Sequence, residues 1–323
     1  MKNYWYLSKT NDGWENLALD EWFIDNLSPD DIMLYFYINE NAVIIGKNQN
    51  PWKECNLPQM EKDNVQLVRR ITGGGAVYHD LGNLNFSFIA GENRYDLDKQ
   101  LNLILKAVES FGIECEFSGR NDLLADGKKF SGNAFCVRKN IKQHHGTLLV
   151  NSDLNRLQNY LNVDPKKIRS KGIESVRARV CNLSELSKDV NIDSMLNAIR
   201  TAYNALYGEV SDYVPTEKAL NDVKKYYEKQ ISWEWKMGNT MPFDIELNER
   251  FSFGGVQMLF SLKEAVIEKV QVFSDAMDTE LCLEISERLT GVRFKSSELY
   301  NALTASGKEP IKEIANYLLN ENL

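Results

Sequence analysis

Trp14, Leu17, Ala18 and Trp22 recur at helical spacing, and Leu19, Phe23 and Leu27 form a second apolar row, so residues 14–27 read as a largely buried helix. Glu21 falls on the first of these rows. The apolar runs at 32–38 and 42–45 are short and bounded by polar residues and Gly46, as buried strands are. Leu84, Phe86 and Phe88 alternate with Asn85 and Ser87, the period of a half-buried strand. Leu101, Ile104, Leu105, Val108 and Phe111 mark one face of a helix that stops at Gly112. Asp126-Gly127, between extended flanks, predicts a two-residue hairpin turn from which Lys128 and Lys129 leave on opposite faces. A further extended piece at 146–150 gives way to the cap candidate Ser152-Asp153, and helices are expected at 153–161, 193–207 and 216–229.

From about residue 250 the pattern restarts. A hairpin is expected from 256–260 and 266–272, then helical rows through Leu281, Ile285 and Leu289 and through Ile311, Ile314 and Leu318. The expected architecture is therefore α+β: a large mixed-sheet domain at 1–244 and a small α+β domain at 245–323, joined near 241–249. The length of 323 residues suits such a pair better than one core.

Composition narrows the function classes. With 43% hydrophobic and 26% charged residues the chain can bury a substantial core. A formal net charge of -8 opposes general nucleic-acid binding, so an anionic ligand needs a local site. The chain lacks the run of about 18 apolar residues that a membrane helix needs, and its first residues do not read as a signal peptide. Neither a membrane nor a nucleic acid is an expected partner, and a cytoplasmic location is expected. Cys55, Cys115, Cys136, Cys181 and Cys282 are scattered, without the paired short spacings of a zinc site or disulfide framework.

Three segments carry chemistry. In Arg69-Arg70-Ile71-Thr72-Gly73-Gly74-Gly75-Ala76-Val77-Tyr78-His79, glycines after a strand allow close backbone approach and an amide cradle for an anion, and the arginines add forked donors. The triplet is neither a Walker loop nor a dinucleotide fingerprint, and taken alone reads as a flexible loop. In the second segment, Asn121-Asp122 precede a hairpin whose Lys129 leads into Phe130-Ser131-Gly132-Asn133-Ala134, small residues that leave a lysine room to reach a ligand. The third is His144-His145-Gly146-Thr147; neighbouring strand residues face opposite ways, so this pair cannot chelate one metal as a unit.

Taken together and in this order, these segments resemble the lipoate-protein ligase A family, as do the stretches 14–21, 45–56, 119–122, 144–149, 171–179, 232–235 and 250–255. The resemblance implies a catalytic domain related to biotin and lipoate-protein ligases, with a small accessory domain acting as a movable cover. It implies a two-step reaction: lipoate and ATP give lipoyl-AMP and pyrophosphate, and a lysine of an acceptor then displaces AMP. The implied acceptors are the apo lipoyl domains of 2-oxoacid dehydrogenases or glycine cleavage H protein, with octanoate a further candidate acyl substrate. Arg70, Gly75, Ala76, Val77, Tyr78 and Lys129 match nucleotide-binding positions, and Lys129 also matches a lipoate contact and is the implied catalytic residue. Thr72, Gly73, Gly74, Glu21 and, more weakly, Arg138 are candidates for the lipoate side; Glu21, on a buried row, reads more often as a structural carboxylate paired with a cation. Mg²⁺ is implied as the partner of ATP, with Asn121 and Asp122 near it or near phosphate by position only, and no structural metal is expected. The rival reading is an acyltransferase working through a thioester on Cys181; a biotin ligase lacks its usual Gly-Arg-Gly-Arg signature here, and a non-catalytic scaffold is opposed by Arg70 and Lys129.

Overall fold

The computed structural model describes residues 1–118, 121–162, 180–238, 241–321 and 323. Residues 171–179, Gly119 and Arg120, which carry parts of the family resemblance, lie outside the described residues.

The main sheet has eight strands, ordered edge to edge Ser211–Asp212, Asn3–Leu7, Ile32–Tyr37, Asn83–Gly91, Ile141–Leu149, Lys128–Arg138, Asp122–Ala125 and Cys115–Ser118. Asn3–Leu7 runs parallel to both neighbours and the other pairings are antiparallel, so the sheet is mixed. One face packs Leu84, Phe86 and Phe88 against the helices Leu97–Glu109 and Ile192–Tyr207. Tyr35 and Ile89 on the other face pack with the helix Gly13–Asn26, which the carboxylate of Asp12 caps by accepting from the Glu15 amide. A second sheet, Gln66–Arg69, Ala42–Ile45 and Val77–His79, lies on that side too, and Ile44 and Val68 share the same core.

Asn83–Gly91 is buried at every position, not along one face as its alternation suggests. Its polar residues face a covered layer instead of water: Asn85 donates to the Tyr37 carbonyl, and Ser87 accepts from Gln143, which also donates to Asp20. The expected helix at 153–161 contracts to Leu157–Tyr160, because the Asp153 amide donates to Asp80 and its carboxylate accepts from the Asn155 amide, a turn that competes with the helix. The hairpin turn has left-handed backbone at both Asp126 (φ 50°) and Gly127 (φ 68°), as the Asp-Gly pair predicts.

Beyond residue 244 a three-stranded antiparallel sheet, Ile245–Phe251, Gly254–Lys263 and Val266–Ser274, is covered by the helices Leu281–Leu289, Ser296–Thr304 and Glu309–Asn320. It has its own apolar core, including Phe260, Ile285, Leu303 and Leu318. The first strand and the middle helix are additions to the sequence expectation.

Candidate functional site

A cavity of about 240 Å³ opens between the second sheet and the hairpin strand of the main sheet. Leu17, Tyr37, Ile44 and Val77 give it an apolar wall, while Arg70, Lys129 and the Gly74–Val77 backbone border it elsewhere.

Arg70 is 8% exposed and spends its N–H groups on carbonyls. Nη2 donates to Gly73 O and Gly75 O, both at 2.7 Å, Nη1 to Ile44 O at 3.1 Å, and Nε to Gly73 O and Thr72 Oγ1, both at 3.1 Å. Burial pushes the guanidinium down to about 10, yet none of these partners is a carboxylate. Because the turn's carbonyls are drawn onto Arg70, its amides are left to look elsewhere. Those of Gly75 and Ala76 have no partner among the described residues, while the Gly74 amide donates to Ala276 O at 3.1 Å. A desolvated positive charge beside unspent amides is a site for an anion.

Lys129 is held differently. Its side chain is 35% exposed, with Nζ 2.7 Å from Asp122 Oδ1. The register of the hairpin slips between Leu123 and Leu124, leaving Phe130 in a bulge. Regular alternation back from the cavity residues Gly132 and Ala134 would bring Lys128 to this face; the bulge brings Lys129 there instead, and Lys128 is exposed away from it. A Cβ on Gly132 would stand 2.8 Å from Lys129 Nζ, so glycine keeps the ammonium free to move. Asn121 and Asn133 bond each other's backbone and pin the start of the hairpin.

The structure thus brings Arg70, Gly74, Gly75, Ala76, Val77, Asn121 and Lys129 to one cavity, with Asp122 on Lys129. The Tyr78 side chain points the opposite way from Val77, onto Tyr160 and beneath the Arg156 guanidinium. Thr72 is fully buried behind Arg70. Gly73 meets the small domain: a Cβ there would come 2.4 Å from Ala276 O. Glu21 and Arg138 do not line the cavity; Glu21 is bound by Lys229 Nζ at 2.7 Å and Arg138 Nη1 at 3.1 Å, and Arg138 also binds Asp25. Cys181 is likewise away from the cavity and buried; it donates to Ala125 O and Lys128 O, and burial raises its thiol.

Sequence reasoning left the places of three histidines and one methionine unassigned. His79 and His145 line the cavity, and both are held neutral by burial, His79 down to about 3 and His145 well below its ordinary value. His144 faces the other side of its strand, stacked on Phe88 and Phe135. Alternation separates the two adjacent histidines, but only the pairing with Asn83–Gly91 shows which one meets the cavity. The fourth is Met277, which the small domain contributes to the cavity lining. Beside it Lys47 pairs with Glu280 at 2.9 Å, Asn48 Nδ2 donates to Thr279 O at 2.8 Å, and the Ser274 amide donates to Asn48 O at 3.0 Å.

Comparison with known proteins gives this geometry a family. Residues 12–204 match the lipoyl protein ligase A/B catalytic domain and residues 240–321 the bacterial lipoate protein ligase C-terminus. A lipoate-protein ligase A of Psychrobacter cryohalolentis is 37% identical over 97% of each chain. Another, of Bdellovibrio bacteriovorus, is 40% identical over 89% of this chain and 87% of its own. Among solved structures, P. falciparum LipL1 in complex with lipoate superimposes with a TM-score of 0.88 at 28% identity, covering 99% of this chain and all of its own. A lipoate-protein ligase A bound with ATP matches 74% of this chain and 99% of its own, with a TM-score of 0.66 and 30% identity. The described residues include no helix long and apolar enough to cross a membrane. Matched in both parts and along nearly its whole length, the chain belongs to the lipoate-protein ligase A family of enzymes.

Proposed function

We propose that the chain activates lipoate with ATP and transfers the lipoyl group to a lysine of an acceptor protein. The observation that carries the reading is the pairing, in one cavity, of an apolar wall with the buried Arg70 and the adjustable Lys129. A medium-chain acid has just this division: an apolar body and a carboxylate that must be brought against a triphosphate.

In the first step the lipoate carboxylate oxygen attacks the α-phosphorus and pyrophosphate leaves. Like charges meet there, so donors fixed beforehand lower the barrier. The Gly75 and Ala76 amides, shaped by Arg70, bind phosphate oxygens, and Lys129 releases Asp122 to bridge the acyl and α-phosphate oxygens. In the second step the acceptor's lysine amine attacks the acyl carbon, AMP leaves, and the amine loses its proton. Mg²⁺, when bound with the triphosphate, would supply charge neutralisation, and Asp122 with Asn121 beside it would be the residues to hold it. Thr72 and Gly73 act behind the ligand, and Glu21 and Arg138 brace the helix Gly13–Asn26 against the sheet. The acceptors are lipoyl domains of 2-oxoacid dehydrogenases or glycine cleavage H protein, octanoate is a second acyl substrate, and residues 1–244 and 245–323 are the catalytic and accessory units. A relative in Thermoplasma acidophilum, solved as a bi-partite ligase and its E2 lipoyl domain, supports the acceptor class.

The test is incubation with lipoate or octanoate, ATP, Mg²⁺ and purified apo acceptor domains, read as pyrophosphate release and as a lipoyl or octanoyl mass increase on the acceptor. Pyrophosphate release dependent on lipoate, with modification of one lysine, is expected. Acyl transfer that needs no ATP and leaves a thioester on Cys181 overturns the reading.

A further inference from the structure

We infer that His145 is a positioning residue for Arg70: acting through the Thr72 hydroxyl, it fixes the guanidinium that shapes the anion-binding side of the glycine turn. The inference rests on the ligase reading for its kinetic consequence, but not for the geometry.

The direction of each hydrogen bond follows from chemistry. Arg70 Nε can only donate, so Thr72 Oγ1, 3.1 Å away, accepts from it. The Thr72 hydroxyl has one proton to give, and its other neighbour is His145 Nε2 at 2.8 Å. Giving that proton to His145 Nε2 is the arrangement that leaves no buried hydroxyl proton unpaired among the described residues, which makes Nε2 the acceptor. A neutral imidazole that accepts at Nε2 carries its proton on Nδ1, and that atom faces Asp20 Oδ2 at 3.9 Å. Gln143 Nε2 holds the same Asp20 oxygen at 2.6 Å. The chain runs one way: Arg70 donates to Thr72, Thr72 to His145, and the His145 N–H faces a carboxylate. All four residues are buried, so water does not readily substitute for a missing partner.

The other cavity histidine has the opposite tautomer. Asn16 Nδ2 donates to Asn39 Oδ1 at 2.9 Å, so Asn39 presents its amide nitrogen to His79 Nδ1 at 3.1 Å. His79 Nδ1 then accepts, and its proton sits on Nε2. Two neutral histidines lining one cavity are thus locked in different forms, which gives an internal standard for measurement.

Arg70 Nε has two acceptors, Thr72 Oγ1 and Gly73 O, both at 3.1 Å. Without the hydroxyl held in place, the guanidinium plane is free to turn about its remaining bonds, and the Gly73 and Gly75 carbonyls that it gathers lose their common anchor. The cost falls on the binding of anion, not on the acyl wall. That separates a positioning role from a mere wall role for His145.

Two measurements test this. The chain has three histidines, so long-range ¹H–¹⁵N spectra of ¹⁵N-histidine-labelled full-length protein resolve each ring. The expected result, at about pH 8 where the Asp20 carboxyl, pushed up to about 6 by burial, is ionised, is His145 with a bare Nε2 and His79 with a bare Nδ1; a proton on His145 Nε2 there overturns the inference whatever the enzyme's activity. The second is a double-mutant cycle in ATP-dependent pyrophosphate release, using Thr72→Val, His145→Leu and the pair. Each single change is expected to raise the KM for ATP about tenfold with a smaller change in the KM for lipoate, the pair no more than the worse single, and Thr72→Ser and His145→Gln to recover most of the loss. A multiplied effect of about a hundredfold in the pair, or a glutamine variant no better than leucine, makes His145 only a wall of the cavity. Thermal melts accompany every variant, and if His145→Leu does not fold, His145→Gln with Thr72→Val completes the cycle. A parent protein that releases no pyrophosphate refutes the ligase reading alone, because the tautomer result stands apart from it.

Discussion

The two cationic sides of the cavity are built on opposite plans. On the glycine side Arg70 is buried and bonded to three backbone carbonyls and a hydroxyl that is itself held. On the hairpin side Lys129 is about one-third exposed, has one carboxylate partner and faces a glycine that leaves it room. A reaction that gathers a nucleotide and then hands an acyl group to a large acceptor needs both. Fixed dipoles bind phosphate without rearrangement at the moment of reaction, while a mobile ammonium follows the oxygens that change charge. The difference teaches that both cations can meet the ligand's charge but that only Arg70 is also tied into the fold.

The largest expected loss is Arg70→Met. It removes the donor from two buried carbonyls and one partly buried one, so it should lower stability by about 3 kcal/mol, as well as abolish adenylate formation; urea unfolding followed by fluorescence checks the first. Lys129→Ala should cut lipoyl-AMP formation by on the order of 10²–10³-fold with an unchanged melting curve, and Lys128→Ala should be mild. If Lys129→Ala melts early while Arg70→Met does not, the comparison is inverted.

Removing the small domain should act on the glycine side. A chain ending near Asp244 is expected to make lipoyl-AMP poorly but to transfer lipoate from supplied lipoyl-AMP to an apo acceptor, since adenylation needs the covered site and transfer needs an open one. Both half-reactions measured on one truncation, with folding followed by circular dichroism, decide it; equal loss of both counts against a cover. Gly74 has φ 91°, and a Cβ there would stand 2.9 Å from Arg70 Nη2 and 3.1 Å from Met277 Sδ. Gly74→Val should therefore weaken ATP or lipoate binding roughly tenfold or more by calorimetry and lower the melting temperature, whereas Gly75→Ala, whose Cβ would meet no protein atom within 4 Å, should leave the melting curve close to unchanged. The smallest effect is expected for Cys181→Ser. Its amide holds Lys129 O at 3.0 Å, which serine preserves, and a mixed anhydride needs no thiol, so most of the ligase activity should remain.

The sequence was most legible where the signal is local. The first helix, the Asp-Gly turn and the glycine segment follow from spacing and from backbone freedom at named residues. What stayed hidden depends on partners far along the chain. Asn83, Asn85 and Ser87 read as the wet side of a strand because alternation reports polarity, not what covers it. Ile245–Phe251 escaped notice because Glu246, Asn248, Glu249 and Arg250 make it an edge strand of low hydrophobicity. Ser296–Thr304 is short, with only Leu299 and Leu303 buried. The side of the hairpin that carries Lys129 depends on a bulge at Phe130, and a one-residue slip has no signature in periodicity. Met277 reaches the cavity through tertiary contact alone.

The seam between the two parts of the molecule has a consequence for how such a protein can be inherited. Its named contacts are mainly polar: the Gly74 amide on Ala276, Asn48 on Thr279, Asn50 on Gln257, and the Lys47–Glu280 ion pair, whose side chains are 36% and 60% exposed. The apolar cores on either side are separate. Because each part keeps its own core and the named contacts across the seam are mainly polar, two genes encoding the halves would yield pieces able to meet again through these hydrogen bonds. Fusion and fission at this point are therefore small steps, whereas Gly73, where a Cβ would come 2.4 Å from Ala276 O, ties the residue chosen in one half to the backbone of the other.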